Sequence, residues 1–118
     1  MMYTIAKRFT FDAAHQLVGL PTSHKCSRLH GHTYSVEVVL QSEYLVGPGF
    51  VVDYTDLAAF KEFISAQVDH RNLNEVVGFP TTSENLACWF YQWCKQRWPV
   101  VVAVRVSETS ATWAEYRE

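Results

Sequence analysis

The chain has 118 residues, of which 48% are hydrophobic, 14% aromatic and 19% charged, so residues 1–118 can form one domain with an apolar core. Its formal net charge of -2 gives no reason to expect a nucleic-acid partner, and without a run of about 18 apolar residues no membrane span is expected. Three cysteines without a disulfide spacing, and an N-terminus without the apolar segment of a signal peptide, favour a cytoplasmic protein.

The first half of the chain alternates apolar and polar residues with the period of two that is typical of β-strands. One predicted strand covers residues 2–15 and a second covers roughly residues 30–42, and a loop through Cys26 connects them. A turn at residues 47–49 follows, and residues 50–52 are predicted to form a short strand or a strand extension.

A helical period begins after Asp53, where Thr55 or Asp56 can cap a helix that should end near residues 69–72. Its apolar positions are Leu57, Phe60, Phe63 or Ile64, and Val68. We expect a loop from Asn74 to Pro80.

A second helix should follow this loop, because Thr81 and Glu84 have the spacing of a capping box, and Pro99 prevents its continuation. Residues 100–108 then predict a strand, and residues 112–117 a shorter one. The valines expected to share one face of the longer strand are Val100, Val102, Val104 and Val106.

The predicted order is strand, strand, helix, helix, strand, strand. Such an order favours an α+β fold, in which two helices cover one face of a four-stranded antiparallel sheet. A sheet this small has long open edges, and joining several sheets into a barrel would remove those edges. A symmetric homo-oligomer is therefore expected.

Three histidines are the strongest functional signal in the sequence. His30 and His32 share one face of the second strand, and His15 ends the first strand on its apolar face. Any one of them could be an ordinary hydrogen-bonded core residue. Together, three imidazoles with an open fourth position describe a catalytic zinc site.

Glu108 is the next polar residue on the valine face of the strand at residues 100–108. A buried carboxylate needs partners, which suggests a binding role, although the strand could also have reached solvent there. Asp69 and His70 lie at the end of a predicted helix, where an Asp–His pair by itself is more commonly a cap or a dipole interaction.

Several segments resemble the 6-pyruvoyltetrahydropterin synthase family. They are Phe11 to His15, Cys26 to His32, Asp69 to Asn74, Pro80 to Asn85 and Val106 to Thr109. They span nearly the whole chain in the order that the family has. The three residues between Cys26 and His30 are similar to the 6-carboxytetrahydropterin synthase branch, which serves queuosine and related deazapurine synthesis.

The resemblance implies the tunnelling fold, in which sheets from three subunits join into a barrel and two trimers stack. It also implies active sites between subunits and a small-molecule pterin substrate, 7,8-dihydroneopterin triphosphate, which zinc activates as a Lewis acid. By this resemblance the product is a tetrahydropterin 6-carboxylate, formed with release of triphosphate and acetaldehyde. A 6-pyruvoyl product, another side-chain cleavage or a non-catalytic pterin-binding module are the alternatives.

The family pattern also gives roles to individual residues. It implies Zn2+ bound by His15, His30 and His32, and Cys26 as the base that accepts a proton. It makes Asp69 and His70 partners of that cysteine. Glu108, Thr82 and Ser83 would seat the pterin. Alternatively, Cys26 is a fourth metal ligand, and Thr82 and Ser83 only cap a helix.

Overall fold

The computed structural model describes all 118 residues and contains a five-stranded sheet in the order β3-β1-β2-β4-β5. The strands are β1 (Tyr3–His15), β2 (His30–Ser42), β3 (Arg71–Asn72), β4 (Val101–Thr109) and β5 (Thr112–Arg117). The α-helices are α1 (Ala58–Gln67), α2 (Leu73–Val76) and α3 (Ser83–Arg97), and 3-10 helices cover Lys25–Ser27 and Tyr54–Leu57. The predicted α+β fold is confirmed.

The centre of the sheet is the antiparallel pair of β1 and β2, which is in register over the full length of both strands. His15 lies opposite His30, and Ala13 lies opposite His32. Directly opposed residues of an antiparallel pair project from the same face. This register therefore brings all three histidines to one end of one face.

The same face carries the apolar core, and both long helices pack on it as predicted. Phe60 of α1 lies edge-on against Phe9, with the ring centroids 5.1 Å apart, and 5.7 Å from Phe90 of α3. Phe90 in turn contacts Phe11, at 6.0 Å. Aromatic contacts of this kind bury large apolar areas and fix how the helices sit on the sheet.

The fifth strand, β3, was not predicted and is only two residues long. It pairs in parallel with Ala13 and Ala14 of β1, where a turn after α1 brings it alongside. Helix α2 follows at once and overlaps the predicted loop, and the Asn72 side chain caps it by accepting from the N–H of Asn74. The prediction of a four-stranded sheet with two helices is therefore corrected by two short elements.

Strand β4 is offset from the predicted alternation. Its pairing with β2 shifts between Val39 and Leu40, where Val102 is an extra residue in β4, so Val101 is buried in the core, whereas Val102 is half-buried. The prediction for Val104 and Val106 is confirmed, because both are buried on the core face. A bulge adds one residue to one strand and reverses the facing of residues beyond it.

One long edge of the sheet is open. Because β3 covers only Ala13 and Ala14, β1 has no strand beside its outer edge from residue 3 to residue 12.

The predicted strand at residues 50–52 is absent, and Phe50 makes only an isolated bridge to Val46. No helix has the length and apolar character that crossing a membrane requires.

Candidate metal centre and active site

Three imidazoles converge where β1 ends and β2 begins. The ring centroids are 4.7 Å apart for His15 and His30, 5.2 Å for His15 and His32, and 4.8 Å for His30 and His32. One nitrogen of each ring lies within 4.8 Å of the corresponding nitrogens of the other two. Nitrogens this close can ligate one ion.

Two of the imidazoles are held by backbone carbonyls. The Nδ1 of His15 lies 2.9 Å from the carbonyl oxygen of Thr81, and the Nδ1 of His30 lies 2.7 Å from that of Arg28. Because a carbonyl oxygen only accepts, each Nδ1 carries the proton and each Nε2 keeps its lone pair. Such outer contacts are typical of histidines that bind metals through the other nitrogen.

The interior of the site favours neutral imidazoles. His15 is fully buried, and the Nε2 atoms of His15 and His32 are buried without a hydrogen-bond partner. Burial lowers the pKa of His15 and of His32 from the usual histidine value, although the nearby carboxylate of Glu108 acts in the opposite direction. Unpartnered neutral nitrogens are what a metal ion requires, so this donor set fits one.

Thr81 is a residue of this site that the sequence did not reveal. It is buried, and both its carbonyl oxygen and its hydroxyl contact the Nδ1 of His15, at 2.9 and 3.0 Å. Its predicted role as the cap of α3 is wrong, because Thr82 accepts from the N–H of Asn85 instead. No local pattern indicates this contact, because Thr81 and His15 are 66 residues apart in the sequence.

Glu108 lies beside the imidazoles. One of its carboxylate oxygens is 3.5 Å from the Nε2 of His32, and the other accepts a hydrogen bond from the Ser83 hydroxyl at 3.2 Å. Its side chain is 27% exposed, so the strand has not reached free solvent there. The structure therefore brings Ser83 and Glu108 into contact, whereas the side chain of Thr82 caps α3.

Cys26 is a half-buried free thiol in the 3-10 helix between β1 and β2. Its carbonyl accepts from the N–H of Leu17 at 2.8 Å, and its N–H donates to the Nδ1 of His24 at 3.0 Å. These two bonds hold the loop that carries it. The group of converging ligand atoms consists of the three imidazoles and does not include the Cys26 sulfur.

Asp69 and His70 form a pair at the outer edge of β1. The Nδ1 of His70 is 3.0 Å from an Asp69 oxygen, which also accepts from the backbone N–H of Asp12 at 3.0 Å. This backbone hydrogen bond is the main reason that the pKa of Asp69 is lowered. His70 has a φ of 60° and donates its own N–H to the carbonyl of Asp12 at 2.6 Å.

The His70 ring is separate from the imidazole cluster within one chain. It groups with the carboxylates of Asp12 and Asp69, and Asp12 lies on the face of β1 opposite to His15. The His70 side chain is 78% exposed, beside an open groove of about 590 Å3. A single chain therefore assembles the three imidazoles with Glu108, and presents the Asp69–His70 pair outward.

Comparison with known proteins identifies the family. The model of the family described as 6-pyruvoyl tetrahydropterin synthase matches residues 4–118, which is almost the whole chain. The chain belongs to the 6-pyruvoyl tetrahydropterin synthase family. The sequence-based family assignment is confirmed.

Several members of this family are similar over most of their length. The chain is 36% identical to the dihydroneopterin monophosphate aldolase of Pyrococcus furiosus, over 84% of this chain and 81% of that protein. It is 34% identical to the 6-carboxy-5,6,7,8-tetrahydropterin synthase of Synechocystis, over 98% of this chain and 93% of that protein. The 6-pyruvoyl tetrahydropterin synthase structure from Caenorhabditis elegans superposes with a TM-score of 0.87 at 29% identity, covering 100% of this chain and 96% of that one.

Proposed function

We propose that this pterin-synthase family member is a zinc-dependent 6-carboxy-5,6,7,8-tetrahydropterin synthase. It converts 7,8-dihydroneopterin triphosphate to 6-carboxytetrahydropterin and releases acetaldehyde and triphosphate, as a cytoplasmic step of queuosine and related deazapurine synthesis. Residues 1–118 act as one domain in this proposal. The convergence of three imidazoles beside the Glu108 carboxylate carries it, with support from the Synechocystis relative that aligns over 98% of the chain.

His15, His30 and His32 would hold the zinc ion through nitrogens that are close together, two of which are buried and unpartnered. When bound, zinc would supply Lewis acidity toward an oxygen of the substrate side chain. The carbonyls of Thr81 and Arg28 keep His15 and His30 in the tautomer that leaves Nε2 free.

Glu108 seats the pterin ring in this proposal. Its carboxylate can accept two parallel hydrogen bonds from a ring N–H and the neighbouring amino group. Ser83 holds that carboxylate through its hydroxyl, and Thr82 fixes the start of α3 on which Ser83 lies. The ring would therefore be fixed by groups whose own positions are set by the helix.

Cys26 acts as the base that removes a proton from carbon next to the activated oxygen. A thiolate is a suitable base at neutral pH when positive charge is nearby. Asp69 orients His70 through the contact at 3.0 Å, and His70 exchanges protons with Cys26 and returns one to the pterin. Within one chain His70 is separate from the imidazole cluster, so in this proposal Cys26 and His70 of one active site come from neighbouring subunits.

A homo-oligomer, organised as a dimer of trimers, fits these features. The outer edge of β1 lacks a strand partner from residue 3 to residue 12, and β5 is the opposite edge of the sheet. Pairing of β1 with β5 of a second copy would cover both edges.

Product analysis tests the reaction. Purified protein with zinc and 7,8-dihydroneopterin triphosphate should yield acetaldehyde, triphosphate and a 6-carboxypterin that is detected by mass. A 6-pyruvoyl product would assign the chain to the other synthase activity of its family. Stable binding of the substrate without any product would instead indicate a pterin-binding module.

A second candidate has its own support, because the Pyrococcus furiosus relative is a dihydroneopterin monophosphate aldolase at 36% identity. Such an enzyme would cleave the same type of pterin side chain, but in a substrate that carries one phosphate in place of three. Competing the monophosphate and the triphosphate in one reaction separates the two activities. Preferential consumption of the monophosphate, with glycolaldehyde phosphate rather than acetaldehyde as the fragment, would favour the aldolase.

Mixed oligomers should recover activity that neither parent variant has. Chains with Cys26→Ala and chains with His70→Ala are coexpressed in equal amounts under different tags. We expect about a quarter of wild-type turnover, because random assembly gives about a quarter of the sites both an intact Cys26 and an intact His70. Mixing Cys26→Ala chains with chains that carry both substitutions leaves no intact cysteine and is the inactive control. Absence of recovery in the first mixture would mean that each chain uses its own Cys26 and His70.

Replacing Glu108 by glutamine should weaken pterin binding and leave the fold intact. The substitution keeps the volume and an oxygen for Ser83 but removes the charge, and hydrogen bonds to charged groups contribute about 1.5–3 kcal/mol, so we expect roughly 10- to 100-fold weaker binding. Fluorescence titration of the zinc-loaded protein with 7,8-dihydroneopterin measures it. Glu84→Gln, at an exposed position in the first turn of α3, is the matched control; equal affinities for the two variants would exclude Glu108 from the pterin site.

A further inference from the structure

The chain contains three buried side-chain polar atoms without a hydrogen-bond partner, and all three belong to neighbouring residues at the imidazole cluster. They are the Nε2 atoms of His15 and His32 and the hydroxyl of Tyr34. The Tyr34 ring lies 5.9 Å from the His15 ring and 5.4 Å from the His32 ring. A metal ion would satisfy the two nitrogens, but the hydroxyl is left unexplained.

Packing does not account for this hydroxyl. Tyr34 is fully buried, and its ring stacks on Phe11 with the centroids 4.9 Å apart. Phenylalanine would make the same stack, and the next residues on this face of β2, Val36 and Val38, are apolar. Since buried hydroxyls in folded proteins are nearly always hydrogen-bonded, an orphan here indicates a partner that binds later.

The surroundings of the hydroxyl indicate which kind of partner it would meet. The Tyr34 ring contacts the rings of His15 and His32, two of the three clustered imidazoles. Glu108 itself lies 3.5 Å from the Nε2 of His32. The Tyr34 side chain therefore borders the region between the imidazoles and the carboxylate, and its phenolic hydroxyl can donate a hydrogen bond there.

We propose that Tyr34 is a ligand-contacting residue, whose hydroxyl donates a hydrogen bond to an oxygen atom of the pterin side chain bound between the imidazoles and Glu108. This inference rests on the proposed function. It adds a division of roles within the site. Glu108 accepts from the N–H groups of the ring, whereas Tyr34 donates to the side chain, whose oxygens need donors.

The test compares two pterins on zinc-loaded Tyr34→Phe protein. One is 7,8-dihydroneopterin, which has a trihydroxypropyl side chain, and the other is 6-methyl-7,8-dihydropterin, which has no side-chain oxygen. We expect the dissociation constant of the first to rise roughly three- to tenfold and that of the second to stay unchanged. Tyr91→Phe, the same chemical change at a buried position on α3, is the matched control and should alter neither constant.

A second readout is the melting temperature of the metal-free protein. Removing a hydroxyl that has no partner should leave the Tm of Tyr34→Phe at or above that of wild type. A fall of more than about 4 °C would show that the hydroxyl has a structural partner, and would overturn the inference. Zinc content is measured in parallel and should be unchanged.

The titrations separate failure of this inference from failure of the proposed function. Equal affinities of wild type and Tyr34→Phe for dihydroneopterin would overturn the role of Tyr34 while pterin binding stands. Equal weakening of both pterins would assign Tyr34 to the shape of the site and would also overturn it. If wild type binds neither pterin, the proposed function fails, and the ligand assigned to Tyr34 fails with it.

Discussion

Cys26→Ala is expected to lower kcat by about 100- to 10,000-fold, which is the contribution of a positioned general base, while zinc content stays at the wild-type value. Zinc should be retained because the group of converging ligand atoms consists of the three imidazoles and does not include the Cys26 sulfur. Single-turnover kinetics with 7,8-dihydroneopterin triphosphate and metal analysis of the same sample provide the two measurements.

The control for this variant is Cys88→Ala, which removes another half-buried thiol, in α3. It should keep both turnover and zinc. A Cys26→Ala protein that loses zinc would identify the sulfur as a fourth ligand, and a closed coordination sphere would make the metal structural. Unchanged turnover with zinc retained would remove Cys26 from the chemistry altogether.

His30→Ala should abolish stoichiometric zinc binding and reduce turnover to background. Loss of an outer hydrogen bond to a metal ligand already weakens binding by roughly 10- to 100-fold, and loss of a ligand should weaken it more. Because His30 is half-buried rather than fully buried, the variant should still fold. Atomic absorption after gel filtration, with thermal melting before and after chelation of wild type, measures the effect.

His70→Ala is the matched comparison, because it removes an imidazole that is 78% exposed and outside the cluster. It should retain zinc and lose turnover. The opposite pattern, zinc retained in His30→Ala and lost in His70→Ala, would place the metal at the Asp12, Asp69 and His70 group and contradict the assignment made here.

The histidine cluster could be predicted because the alternation of residues along each strand determines which face each histidine is on. Alternation along β2 puts His30 and His32 on one face, and the matching pattern along β1 ends at His15. The periods of the helices likewise predicted the residues that α1 buries, including Phe60 and Ile64. Each of these inferences needs only neighbours a few residues apart in the chain.

Other features depend on contacts between distant segments and so escaped the sequence. β3 exists because a turn after α1 places Arg71 beside Ala13. The offset of β4 arises where its pairing with β2 shifts, because Val102 is an extra residue between the partners of Val39 and Leu40. The contact of Asp12 with Asp69 joins residues 57 positions apart. No local pattern records such pairings, since they are decided when whole elements pack.

The sequence by itself determined the family, the α+β architecture and the three imidazoles, because alternation and motif order are properties of the chain. Only the tertiary structure decided that Thr81 holds His15, that the Asp69–His70 pair faces outward, and that Tyr34 keeps an unpartnered hydroxyl. A hydrogen bond, or its absence, is settled by which distant groups meet in the packed interior, and this meeting is the part that residue patterns do not encode.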